Sequence, residues 1–116
     1  MSSEGWHEPW DKLSKSTRDM HRAITSLMEE LEAVDWYQQR VDCIDDEELK
    51  AILAHNRDEE KEHACMILEW IRRHDPAMDQ NLREYLFTEG SIVGREAGAQ
   101  AGPAGTIGSL KGKQSS

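Results

Sequence analysis

No run of about 18 apolar residues occurs anywhere in the 116-residue chain, so no membrane-spanning helix is expected. The N-terminus lacks a basic region followed by an apolar stretch, so no secretory signal is expected either. Cysteine is scarce. Cys43 and Cys65 are too few for a disulfide framework and lack ligand-type spacing, which fits a reducing, cytoplasmic setting. Cys65 reads as a small buried hydrophobe. Positive charge is in deficit: 14 Lys and Arg face 23 Asp and Glu, and the net charge of −9 disfavours nucleic acid and suits cations. Apolar residues make up 37% against 32% charged, thin for a monomer of this size to fill its own core. Association with another chain is the expected remedy.

Glycine and proline are nearly missing from the first three quarters of the chain. Seven of the eight glycines, Gly90 through Gly112, share the C-terminal stretch with Pro103. That composition predicts a flexible tail over 91–116. Residues 1–12 read as a loose lead-in carrying Trp6 and Trp10. Between the two lies a helical domain, 13–90.

Helical periodicity dominates that domain. From about Leu13 to Cys43, the residues Ala23, Leu27, Glu30, Val34, Tyr37 and Val41 recur at spacings of 4, 3, 4, 3 and 4, a bundle seam. Met20, Ile24, Met28 and Leu31 widen it. A second helix, from about Glu47 to His74, carries the seam Leu49, Leu53, Asn56, Glu60, His63, Ile67 and Trp70. Asp45 or Asp46 can cap it, and Asp75-Pro76 ends it. A third, shorter helix is predicted over Pro76–Thr88, with Met78, Leu82, Tyr85 and Leu86 on its apolar side and Gly90 as its stop. The short link at Ile44–Asp46 makes the long helices an antiparallel hairpin. The expected fold is all-α: a two-helix hairpin plus a short C-terminal helix.

Both seams carry charge where apolar residues belong. Glu60 and His63 form a Glu-x-x-His pair on one helix face; Glu30 interrupts the other seam. A second such pair, Glu4 and His7, falls in the lead-in. Buried carboxylates need a partner. One candidate is Arg22, Arg40, Arg57 or Lys61, in a network that fixes helix register. The other is a divalent metal, and two carboxylates with an imidazole suit iron or manganese. Di-iron four-helix bundles use a Glu from each of two helices and a Glu-x-x-His from each of the other two. This chain has one of each, so two copies related by a two-fold axis would complete a four-helix site. Tyr37 is a candidate neighbour of that site. Glu29 and Glu32, and Glu59 and Glu62, flank it and could draw cations inward. His21 and His55 read as ordinary surface or interface histidines, Trp36 and Trp70 as packing residues.

The run Met28-Glu29-Glu30-Leu31-Glu32-Ala33-Val34-Asp35-Trp36-Tyr37 resembles encapsulated ferritin. So do Ile52-Leu53-Ala54-His55-Asn56-Arg57-Asp58-Glu59-Glu60-Lys61-Glu62-His63 and Tyr85-Leu86-Phe87-Thr88-Glu89-Gly90. The resemblance implies a half-ferritin that dimerises into a ferritin-like four-helix bundle with a di-iron ferroxidase centre, its dimers arranged in a ten-subunit ring. Glu30, Glu60 and His63 would be the iron ligands, Tyr37 a close neighbour, and Glu29 and Glu32 a secondary metal site on the way in. Fe²⁺ and O₂ would be the substrates, for iron storage inside an encapsulin nanocompartment. Thr106-Ile107-Gly108-Ser109-Leu110-Lys111 resembles the cargo-loading peptide of such shells, with Ile107 and Leu110 offered to wall pockets across Gly108 and Ser109. Other readings stay open on the residues alone: a non-catalytic metal-dependent assembly module, an Arg-paired helical scaffold, and a peroxide-reducing di-iron protein.

Overall fold

Three α-helices make up most of residues 5–95, the part of the chain that the computed structural model describes, and no strand occurs among the described residues. A 3-10 turn at Trp10–Lys12 precedes α1 (Lys15–Cys43), α2 (Glu47–His74) and α3 (Pro76–Tyr85). The all-α expectation is met. Ile107, Gly108, Ser109 and Leu110 lie outside the described residues, as does Glu4. No helix among the described residues is long and apolar enough to cross a membrane. Two compact units divide between Ile71 and Arg72, in the last turn of α2.

The first unit contains the helical hairpin. α1 starts at Lys15 because Ser14 caps it, its Oγ accepting from the Thr17 amide at 3.1 Å. The lead-in that composition leaves loose is held to α1 by two aromatic contacts. The Arg18 guanidinium lies 3.5 Å from the Trp10 ring and donates to the Trp10 carbonyl, and the Trp6 ring lies 4.0 Å from that of His21. α1 closes with the Ile44 amide donating to the Arg40 carbonyl. Of the two candidate caps for α2 the structure uses Asp46, whose carboxylate accepts from the Leu49 amide at 2.9 Å. Glu47 and Glu48 follow in the first turn, and Arg72, Arg73 and His74 sit in the last, each sign facing the complementary end of the helix dipole.

Two cross-helix contacts fix the register. Arg57 donates to the Gln38 side-chain oxygen at 2.8 Å, and His63 meets Glu30 at 3.7 Å. Moving back along α1 from Gln38 to Glu30 corresponds to moving forward along α2 from Arg57 to His63, as an antiparallel pair requires. The seam residues Leu27, Val34, Leu53, Ile67 and Trp70 are half-buried, whereas Ile24, Met28 and Leu31 beside them are exposed. Only Ala64 and Ile71 are fully buried among the described hydrophobic residues. The hairpin therefore leaves a broad apolar surface open: Leu31, Ile52 and Met66 each keep more than half their area in water. Cys65 departs from expectation. It is exposed, as is Cys43, because two residues past His63 is about 200° of helical rotation, which points it away from the seam.

The second unit starts at Arg72. Asp75 caps α3, its Oδ1 accepting from the Ala77 and Met78 amides at 3.0 and 3.1 Å, with Pro76 at the first helical position. Arg72 is ion-paired with Asp79, which also accepts from Arg83 Nε at 2.9 Å. The Arg72 hydrogen bond is the main reason the Asp79 carboxyl titrates below the usual range. α3 ends at Tyr85, three residues before the predicted Thr88. Phe87 adopts a left-handed φ of 60°, and the Thr88 hydroxyl donates to the Tyr85 carbonyl at 2.8 Å, so the chain turns out of the helix before it reaches Gly90. Gly90 itself has φ 86°, a conformation open to glycine without steric cost.

Candidate metal centre

Glu30 sits midway along α1, and Glu60 and His63 lie one turn apart in the middle of α2. The antiparallel register brings all three to one level of the hairpin. Their donor atoms all lie within 4.8 Å of one another. His63 Nδ1 is 3.3 Å from Glu60 Oε1 and 3.7 Å from Glu30 Oε1. The two carboxylates are one-quarter exposed and the imidazole 42%, so the group is half-buried and open on one side.

The charges in this group are not balanced by the cations that the sequence offers. Arg22 pairs with Asp19, Arg57 with Asp58 and Gln38, and Lys61 lies near Asp58. The Arg40 guanidinium lies 5.6 Å from the centre of the Tyr37 ring. The carboxylates instead lean on each other. A hydrogen bond with Glu60 is the main cause that pushes the Glu30 carboxyl above its ordinary pKa, and desolvation and the Glu60 charge add to the rise. His63 opposes it only in part.

This donor set fits a metal ion. Ligands at about 2.1 Å from one ion stand at most about 4.2 Å apart, so a few tenths of an ångström of side-chain rotation closes the group. Binding a cation would remove the repulsion between the carboxylates. One hairpin supplies three donors, fewer than the six that an octahedral ion takes.

The flanking residues fall in different places. Glu29 is exposed and Glu32 half-buried, both on α1 beside Glu30. Tyr37 is half-buried two turns beyond Glu30, about 10 Å along the axis. Glu30 also borders a groove of about 500 Å³, with Ala23, Met66, Ile67 and Trp70 among its walls. Sequence reasoning passed over one contact: Glu59 lies 3.9 Å from His63 Nε2 and 3.9 Å from His55 Nε2. The i, i+4 spacing of the three residues was the available signal.

Comparison with known proteins bears on the family of the chain. Residues 5–89 match the EncFtn-like family. An encapsulated ferritin-like protein of Rhodospirillum rubrum is 62% identical over 101 residues, 87% of this chain and 72% of that protein. A ferritin-like protein of Thermotoga maritima is 49% identical over 108 residues, 93% of this chain and 95% of that one. The encapsulin nanocompartment cargo protein EncC of Myxococcus xanthus is 38% identical over 112 residues, 80% of this chain and 85% of that protein. Protein ne0167 of Nitrosomonas europaea, known from a crystal structure, shares 69% identity at a TM-score of 0.74, covering 76% of this chain and 97% of that one. With its all-helical hairpin and its family match over nearly the whole described region, this chain belongs to the EncFtn-like family of encapsulated ferritin-like proteins.

Proposed function

We propose that the chain is a ferroxidase, taking Fe²⁺ as substrate and O₂ as oxidant at a di-iron site built between two copies. The observation that carries this reading is the Glu30–Glu60–His63 group, whose donors converge within 4.8 Å with no Arg or Lys ion-paired to either carboxylate among the described residues. A second hairpin related by a two-fold axis would add its own Glu30, Glu60 and His63, giving the complement of a carboxylate-bridged pair in a four-helix bundle. The exposed Ile24, Met28 and Leu31 beside the seam support such pairing. Each side chain of this size contributes about 1.5–3 kcal/mol when fully buried.

Each Fe²⁺ held there would give up one electron, with O₂ as the acceptor. The protein's part is to bind and orient. Glu30 and Glu60 are hard donors that favour the ferric product, and His63 supplies a neutral nitrogen that limits the negative charge at the site. Glu29 and Glu32 form the outer site that raises the local Fe²⁺ concentration. Tyr37, about 10 Å along the helix that carries Glu30, would border the completed centre rather than bind the ions.

The relatives named for encapsulation lead to the chain's partner. We assign the segment Ile107-Gly108-Ser109-Leu110 to docking on an encapsulin shell wall, which would place the oxidation, and the storage of its product, inside that compartment. Dimers grouped in a ten-subunit ring complete the proposed assembly.

Aerobic addition of Fe²⁺ to the purified full-length protein tests the activity, with ferric absorbance and O₂ uptake recorded together. Glu30→Ala, Glu60→Ala and His63→Ala should each lose most of the rate. Wild-type rates in all three would remove the ferroxidase reading. Metal-dependent assembly that Zn²⁺ serves equally, without O₂ uptake, would leave a structural clamp instead.

A further inference from the structure

We propose that Glu59 is the positioning residue for His63, an inference that rests on the metal-centre reading above. His63 turns its two ring nitrogens toward different carboxylates. Nδ1 faces Glu60 and Glu30, at 3.3 and 3.7 Å. Nε2 faces Glu59, 3.9 Å from its Oε1. The other oxygen of Glu59, Oε2, lies 3.9 Å from His55 Nε2. His55, Glu59 and His63 thus follow one another at i, i+4 along α2, one carboxylate between two imidazoles.

A neutral imidazole carries a single proton, and a nitrogen that binds a cation cannot keep it. With Nδ1 turned to the metal group, the proton must reside on Nε2. In the metal-free chain the Glu60 oxygen at 3.3 Å from Nδ1 favours the opposite tautomer, with the proton on Nδ1. A second acceptor on the Nε2 side offsets that preference, and Glu59 stands there. Its side chain is 49% exposed. A swing of about 1 Å brings Oε1 to the usual hydrogen-bond length. His55 on the far side gives the carboxylate a second N–H to face, which aligns it between the rings. A carboxylate that accepts from the remote N–H of a ligating histidine locks the ring and makes its other nitrogen a better donor to the metal. Glu59 acts through His63 and needs no contact with the ion.

Zn²⁺ binding to the full-length protein, measured by competition with a chromophoric chelator, tests this without any oxidation chemistry. Glu59→Ala should weaken Zn²⁺ affinity by about 10- to 100-fold, while the metal-free melting temperature stays at or above that of wild type because alanine is the better helix former. Glu59→Gln, which keeps an acceptor oxygen but no charge, should recover most of the affinity. Glu48→Gln removes the same charge from the same helix about 16 Å away and should bind like wild type. Wild-type affinity in Glu59→Ala, alongside lost affinity in Glu30→Ala, would overturn the positioning role and leave the metal centre standing. Glu59→Gln as weak as Glu59→Ala would assign the effect to bulk charge and overturn it too. Absence of Zn²⁺ binding by wild type would overturn the metal centre, and this inference with it.

Discussion

Replacing Glu30 by glutamine should stabilise the metal-free protein and, in the same molecule, abolish its stabilisation by metal. The donor atoms of Glu30 and Glu60 lie within 4.8 Å of each other and both side chains are one-quarter exposed. For an effective dielectric between about 40 and 80, two unit charges at that separation repel by about 1–2 kcal/mol. Glutamine removes that repulsion and can still hydrogen-bond to Glu60. For a domain of this size each kcal/mol moves the melting temperature by about 4–8 °C. Metal acts in the opposite sense: Zn²⁺ at 100 times its Kd stabilises the wild type by about 2.7 kcal/mol, and the variant should lose most of that gain.

The pH dependence follows from the direction of the Glu30 shift. Its folded pKa lies above the ordinary value of 4.5, so between these values the native state binds more protons than the unfolded one. Metal-free wild type therefore loses stability as pH rises through that window, and the loss is complete once pH exceeds the folded pKa. The advantage of Glu30→Gln should be full above the folded pKa of Glu30 and gone below 4.5. Thermal unfolding followed by circular dichroism between pH 4 and 8, in chelator and then in Zn²⁺, measures both halves. A lower metal-free melting temperature for Glu30→Gln at pH 7 would refute the reasoning. It would mean that the carboxylates belong to a stabilising polar network rather than to a centre held ready for a cation.

Further outcomes concern the elements that build and place the site. Asp46→Ala, which deprives the Leu49 amide of its acceptor, should cost about 1 kcal/mol, read as a fall in melting temperature with the Zn²⁺ affinity of the intact hairpin retained. Leu31→Asp changes a side chain that is 54% exposed in the single chain. It should leave the helical signal unchanged yet shift sedimentation to monomer and cut Fe²⁺ oxidation at least about tenfold, since burying an unpaired carboxylate costs several kcal/mol. Deleting residues 91–116 should preserve the oxidation rate and abolish co-purification with a co-expressed shell. Unchanged packaging would place the docking segment elsewhere.

Much of the hairpin was legible in the spacing of its apolar residues, because a two-helix pair has to bury one stripe of each helix and the stripe repeats every three to four positions. The same spacing exposed Glu30, Glu60 and His63 as charges on the wrong face, and the structure brings those three together. Caps were harder: Asp45 and Asp46 are chemically equivalent in sequence, and only the backbone geometry selects Asp46. The end of α3 was misjudged because nothing in Tyr85-Leu86-Phe87-Thr88 marks a helix break. The turn depends on a left-handed Phe87, a conformation that bulky side chains seldom take. Cys65 was misread by type. Small thiols favour interiors, but its rotation from His63 puts it outside. Glu59 was lost among its acidic neighbours, since a run of charge conceals which carboxylate faces an imidazole.

The half-open setting of the donor group has a kinetic consequence. An ion diffusing up to the hairpin meets Glu30, Glu60 and His63 on a side that is open to water in the hairpin itself. Capture by a lone hairpin should then proceed at a pace governed by diffusion and by the negative field of the surface, slowing as ionic strength rises and responding little to solvent viscosity beyond the diffusive term.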